Sequence, residues 1–314
     1  MSDILSVAFF SGLIAACVRL AIPMLFTALG EAISEQAGIL NIGLEGYMLA
    51  GALAGFVGAT FTGGNLWMGV GVAWIAGGLL GLLIGFLTIT LRADQVVAGV
   101  ALNIFALGGT NFAFRMIFSD QLKSPTTDPF PTYAIPLLAK IPIVGQAFFA
   151  QSLFVYLGFL LVPVTWVLLY KTAFGLKIRA VGEKPEAADS AGISVYGVRY
   201  TCVIIAGSLG AVGGAFLTLG SLNVFVENVT AGRGFIALTA VIFGGWHPAK
   251  IFGACLFFGL ADAFQLRMQA LDFGIPYQFL LMTPYVLTLI ALFSLSGRTR
   301  VPSAITIPFV KEGR

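Results

Sequence analysis

The chain has 314 residues, of which 58% are hydrophobic and only 10% charged, with a formal charge of +3. An ordinary soluble domain is about 45–50% apolar and about 25% charged, so a chain this poor in charge could not cover a water-exposed surface. The small positive excess leaves no footprint for nucleic acid, and a mean hydropathy of +0.97 points to the lipid bilayer.

Apolar blocks of about 18–25 residues recur along the sequence, matching the roughly 20 residues a helix needs to cross hydrocarbon. They place spans at roughly 4–29, 43–61, 66–91, 96–118, 149–170, 201–221, 229–246, 251–270 and 276–295. The expected fold is all-α: one transmembrane domain over 1–314, a bundle of about eight to ten spans, some discontinuous or re-entrant. The first block lacks a basic leader and a small-residue cleavage site, so it reads as a retained span. It carries one isolated charge, Arg19. Cys17, Cys202 and Cys255 lie in apolar blocks without ligand spacing and read as small buried hydrophobes.

A polar stretch, ALGEAISEQAGILNIGLEG, occupies 28–46. Glu31 and Glu35 are one helical turn apart, as are Asn41 and Glu45, so each pair shares a face. Gly38, Gly43 and Gly46 predict a break or tight bend before the second span. Discontinuous helices offer backbone donors and acceptors to a transported solute; a structural cap by Glu45 is the other reading. Gly77, Gly81 and Gly85 in the third span, Gly51 with Gly55, and Gly210 with Gly214 predict close helix packing. The fourth span carries Gln95, Asn103, Asn111 and Arg115, whose amides suit a ligand bearing hydroxyls or a heteroaromatic edge, or else bond neighbouring helices.

Loop 119–148 is rich in proline (Pro125, Pro129, Pro131, Pro136, Pro142) and reads as an ordered extramembrane loop of extended or turn character. Loop 171–200 is the most charged stretch. Within it, Pro185 to Gly192 predicts a short helix: proline and acids suit its first turn and glycine its end. Its alanines leave little bulk, so it could slot into a groove on a soluble partner. A third polar group, Asn223, Glu227, Asn228, Arg233 and Gly234, precedes a short apolar segment, 234–246, that suits a re-entrant half-helix. It resembles the group at 28–46 in design and hints at an internal repeat with a path between its halves. His247 reads as an interfacial turn residue. Asp262, Gln265 and Gln269 share a polar face in the next span, with Arg19 a conceivable partner for Asp262; a structural pair, a cavity wall and a proton-coupling site are the readings.

Lys171, Lys177, Arg179, Lys184 and Arg199 in loop 171–200 set the orientation by the positive-inside rule. Alternating spans then put Arg92, Lys250, Arg298, Arg300, Lys311 and Arg314 inside too. Arg115, Lys123, Lys140, Arg233 and Arg267 stay outside. The C-terminus and loop 171–200 are therefore expected in the cytoplasm and loop 119–148 outside.

Catalytic sets are missing. There is one histidine, neither HExxH nor GxSxG occurs, and the dipeptide Gly-Lys of a phosphate-binding loop is absent. No catalytic residue, metal site or cofactor is expected in the chain, and any work done with ATP and Mg²⁺ must be done by another subunit.

Glu186-Ala187-Ala188, with Gly192 four residues on, resembles the EAA-type coupling signature of ABC importer permeases. The hydrophobic-proline continuation is absent, since residues 201–205 are Thr-Cys-Val-Ile-Ile. That departure points away from maltose-type permeases and fits the family of ribose, branched-chain amino acid and nucleoside importers. SEQAGILNIGLEGYMLAGA, LRADQVVAGVALN, RAVGEKPEAADSAGISVYGVRY and GFIALTAVIFGGWHP resemble the nucleoside and simple-sugar branch of that family. The resemblance implies a permease of the bacterial plasma membrane, the shorter member of a heteromeric pair. It implies a second related permease, ATPase subunits and an extracytoplasmic binding lipoprotein as partners. ATPase coupling would fall on Glu183, Pro185, Glu186, Ala187, Ala188 and Gly192. Candidates for the substrate path are Asn41, Glu45, Asn103, Asn111, Asn223, Glu227 and Asp262. Nucleosides are the expected substrates. A simple sugar such as ribose, or an ion-coupled carrier using Asp262, Glu45 or Glu31, are the alternatives.

Overall fold

The computed structural model describes residues 7–119, 125–136, 139, 141, 144–270, 277–295 and 301–311. Arg298, Arg300, Lys123, Lys140, Pro142 and Arg314 lie outside the described residues. Helix α1 (Val7–Gln36) is 30 residues long, about 45 Å at 1.5 Å per residue. It runs past the predicted end of the first span, so Glu31 and Glu35 belong to its last turns and the break falls at 37–43. Helices α2 (Leu44–Phe61), α3 (Leu66–Gly85) and α4 (Gln95–Phe118) follow, with π-helical turns over Phe86–Thr90 extending α3. The Asn65 side chain caps α3 by accepting from the amides of Trp67 and Met68. Asp94 does the same for α4 at 2.9 Å from the Val96 and Val97 amides.

The proline-rich loop holds strand β1 (Thr132–Ala134), antiparallel to β2 (Ala150–Ser152), with α5 (Val144–Phe149) before β2. Helix α6 (Leu153–Lys171) leads into α7 (Ala173–Glu183) and α8 (Pro185–Ser190), so loop 171–200 is largely helical. Helix α9 (Val195–Phe216) starts before its predicted boundary and ends in π-helical turns over Leu217–Leu222. Helix α10 (Arg233–Gly244) has 12 residues, about 18 Å, too short for about 30 Å of hydrocarbon. It is the half-helix the short apolar segment predicted. Helices α11 (Pro248–Ala270) and α12 (Tyr277–Leu295) complete the order. Among the described residues, seven helices are long and apolar enough to span a membrane.

Helix α9 is the axis of the bundle, packed on α1, α2 and α3. Glycine makes that possible. A Cβ on Gly77 would strike the Gly207 carbonyl and one on Gly51 the Ala211 backbone, while a Cβ on Gly81 would come within 2.7 Å of the Val203 carbonyl. The GxxxG rows thus bring backbones together within the chain, as small-residue rows do where no water drives association. Around this axis, α3, α4 and α6 turn apolar side chains such as Leu79, Phe105 and Leu160 outward, the surface expected against lipid.

Candidate functional site

The break after α1 is held by side chains from three helices. Glu31, fully buried on α1, accepts from the Asn41 amide at 2.8 Å. The Asn41 side chain accepts from the Gly43 amide at 2.9 Å and donates to the Tyr47 hydroxyl at 2.8 Å, an Asx-type turn that restarts the helix. Asn103 reaches across from α4: its oxygen accepts from the Gly46 amide at 2.8 Å and its nitrogen donates to the Ile42 carbonyl at 2.9 Å. Gln95 accepts from the Leu40 amide at 2.9 Å. The polar stripe of α4 therefore meets the 28–46 group and satisfies amides that the start of α2 leaves without helical partners. Glu35 accepts from the Trp246 indole, which ties the end of α1 to the turn after α10.

Glu45 joins the two broken segments. Its carboxylate accepts from the Thr230 hydroxyl, from the Gly232 amide at 2.7 Å and from the Gly234 amide at 2.7 Å. It lies in the first turn of α2 and at the first turn of α10, so two helix N-termini converge on one buried negative charge. Glycine is needed here: Gly232 has φ +81°, and a Cβ on Gly234 would meet the Glu45 backbone. Next to this cradle, Asp262 lies 3.7 Å from the Arg233 guanidinium. Arg233, and not Arg19, is therefore the partner of Asp262. Both line a cavity of about 90 Å³ with Gln265 and Tyr285, and the Tyr285 hydroxyl donates to the Ala231 carbonyl at 2.9 Å.

The remaining path candidates meet at the far end of α4. Arg115 pairs with Glu227 at 2.7 Å, and the Phe114 and Phe225 rings lie 4.7 Å apart. Asn223, left-handed at φ 59°, ends the π-helical turns, and its carbonyl accepts from the Thr127 amide at 2.9 Å. The side-chain oxygens of Asn111 and Asn223 are buried without a protein partner. Asn41, Glu45 and Asn103 thus have their polar atoms engaged in building helix ends, whereas Asn111, Asn223 and Asp262 keep acceptor capacity.

At the opposite end, α8 begins at Pro185 and is stopped by Gly192 at φ +81°. Glu183, Glu186, Ala187 and Gly192 are exposed, while Pro185 and Ala188 are buried beneath them. The chain's last described segment, 301–311, straps this region. The Ser303 hydroxyl donates to Glu183 at 2.8 Å, the Ala304 amide to the Gly182 carbonyl at 2.9 Å, and Lys311 pairs with Asp189 at 3.3 Å. Arg199 was expected among the loop cations; it is instead 1% exposed. Its guanidinium donates to the Ala37 carbonyl at 3.2 Å and the Ile307 carbonyl at 3.1 Å, pinning α9, the end of α1 and the strap together. Thr230, Trp246 and the strap were not anticipated as parts of the site; an arginine in the first turns of a span was the available signal for Arg199. The His247 ring, in the turn between α10 and α11, lies 5.6 Å from the Tyr170 ring and tilted 33° to it.

Broken helices meeting inside a multi-pass bundle, with a short exposed helix mounted at one end, define a membrane transport protein. The chain belongs to the family described as branched-chain amino acid transport system / permease component, which matches residues 13–293. It is similar to the guanosine ABC transporter permease protein NupQ of Bacillus subtilis, 40% identical over 94% of this chain and 95% of that one. It is similar to TsgC13 of Haloferax volcanii, provisionally named a glucose ABC transporter permease, at 39% over 97% of this chain and 99% of that one. The nucleoside ABC transporter permease protein NupC of Lactococcus lactis is 36% identical over 92% of this chain and 94% of its own length.

Proposed function

We propose that this chain is the membrane-spanning permease subunit of an ATP-driven ABC importer of a bacterial plasma membrane, and that it carries nucleosides. The observation that carries the reading is α8, a small-residue helix whose Ala187, like Gly192 just beyond its end, is exposed and whose underside is fixed to the frame of α7, α9 and the strap. A soluble ATPase subunit that closes on ATP and Mg²⁺ grips this helix and, through it, rocks α6 and α9. Glu183, Pro185, Glu186, Ala187, Ala188 and Gly192 form the coupling surface. The strap contacts put Lys311 beside Asp189, and Arg92 lines a cavity with Thr306 and Pro308. This basic end faces the cytoplasm by the positive-inside rule, leaving loop 119–148 and the Arg115–Glu227 pair to meet an extracytoplasmic binding lipoprotein. A second, related permease completes the path. Asp262, Asn111 and Asn223, which keep acceptor capacity, and the exposed Glu227 are the residues of this chain assigned to the solute, while Asn41, Glu45 and Asn103 hold the broken helices that shape its way.

Two of the three relatives described are named for nucleosides and one for glucose, so a simple sugar is the competing substrate. Uptake of labelled guanosine by the reconstituted complex, competed with nucleosides, free bases, ribose and glucose, tests the assignment. Competition by nucleosides and not by sugars is expected; the reverse order moves the chain to the sugar reading.

A further inference from the structure

The turn between α3 and α4 encloses a polar cavity against the strap. The membrane-spanning stretches Leu66–Thr90 and Gln95–Phe118 leave 91–94 as their connection, so this turn lies at one face of the bilayer. The strap lies at the same face: the Thr90 and Tyr200 hydroxyls meet at 2.6 Å, and Tyr196, one turn earlier on α9, donates to the Phe309 carbonyl at 3.2 Å. Between turn and strap is a cavity of about 240 Å³, with Thr88, Arg92, Asp94, Gln95, Val96 and Thr306 in its walls.

Gln95 is 5% exposed. Its oxygen accepts from the Leu40 amide, which leaves the two N–H donors of its side chain without a protein partner among the described residues. Water satisfies a charge on a loop, but donors buried to this depth are costly unless something in the cavity accepts from them. Arg92 also has no protein partner among the described residues, and Asp94 uses one oxygen, Oδ1, to cap α4 and keeps the other free. Arg92 (φ 57°) and Thr306 (φ 63°) both hold a left-handed backbone, which such residues keep only where their surroundings fix it. The cavity thus offers one cation, one anion and neutral donors beside them. Leading away from it along α4, Val97, Val100, Ile104 and Leu107 are each at least 40% exposed. Their spacing of three and four residues makes them one apolar stripe.

We propose that this cavity binds the headgroup of a zwitterionic phospholipid carrying a primary ammonium, whose acyl chains lie along the Val97–Leu107 stripe. The phosphodiester accepts from the Arg92 guanidinium and the Gln95 amide, and the ammonium donates to the free oxygen of Asp94. One protein charge of each sign fits a headgroup that bears both. An anionic headgroup leaves Asp94 unpaired, and a quaternary ammonium has no N–H to donate. A soluble phosphate ester with an amino group shares the polar chemistry but makes no use of the stripe. The bound lipid joins the α3–α4 turn to the strap, whatever solute the chain carries.

The test is a titration of the delipidated full-length protein with dioctanoyl phosphatidylethanolamine, phosphatidylcholine and phosphatidylglycerol, followed by the thermal midpoint. The ethanolamine lipid is expected to half-saturate at a concentration about tenfold below that of either other lipid. Glycerophosphoethanolamine, the same headgroup without chains, is expected to give no shift in that range. Half-saturation equal to the lipid's would assign the cavity to a soluble phosphate ester and overturn the proposal. Asp94→Asn keeps an N-cap residue and should raise the half-saturating concentration of the ethanolamine lipid to that of the choline lipid. Arg92→Asn suits the left-handed backbone and should weaken both lipids about tenfold. Equal half-saturation by the three lipids in the wild type overturns the proposal, as does an ethanolamine preference that survives Asp94→Asn or wild-type binding by Arg92→Asn.

Discussion

Glu45 and Arg199 are buried side chains held largely by backbone groups, and each holds together segments far apart in sequence. Removing Glu45 leaves the Thr230, Gly232 and Gly234 donors without an acceptor inside the bundle. Hydrogen bonds to charged groups contribute about 1.5–3 kcal/mol each, and a buried donor left unpaired costs about 1–3 kcal/mol. Glu45→Ala should therefore lower the thermal midpoint of the purified protein markedly, and Glu45→Gln by less, since one amide oxygen keeps part of the cradle. Equal midpoints for the two variants and wild type would remove the cradle from the account. Arg199→Met should free the strap, read as faster limited proteolysis within 301–311 while the spans stay intact; unchanged cleavage would mean the strap is held without it. Glu45 was legible as a possible cap, because it stands at the start of an apolar run. Arg199 was not, because a charge count cannot tell a loop cation from one folded under a helix.

At the scale of elements, the glycine rows and the short helix α8 make separate demands. A Cβ on Gly77 would strike the Gly207 carbonyl, so Gly77→Leu should prevent α3 from closing on α9. Overpacking costs about 1–3 kcal/mol even in forgiving cores, and two backbones in contact cannot yield. Loss of monodisperse protein on size-exclusion chromatography is the readout, with Gly71→Leu, at an open position, as the tolerated control. Ala187→Trp should weaken co-purification of the ATPase without affecting folding, since Ala187 is exposed. The strap adds a finer test. If 301–311 moves with α8 as one body, a disulfide between Glu183→Cys and Ser303→Cys should leave uptake close to that of the reduced protein; loss on oxidation, restored by reductant, would show that the two must separate. The sequence revealed α8 and the half-helix α10 through proline, glycine and run length. It hid the length of α1, whose last turns are polar yet buried by partners that only tertiary packing supplies.

Across the molecule, apolar periodicity sufficed for the bundle, since hydrocarbon admits little besides helices. The order in which helices pack, with α9 at the axis, was not legible, because most of each span's surface is apolar and its few polar residues do not name the helix they meet. The convergence of the 28–46 and 223–234 groups on Glu45 was hinted at by their shared glycine-and-polar design; the strap over α8 left no pattern at all. What unites these features is a bundle whose polar joints lie inside it and whose short exposed helix, α8, lies at one end. The most direct measurement is guanosine accumulation by proteoliposomes holding this chain alone or the full complex, with ATP inside or an ion gradient across the membrane. Accumulation should require both the ATPase and hydrolysable ATP. Concentrative uptake by the chain alone under a proton or sodium gradient would contradict the account.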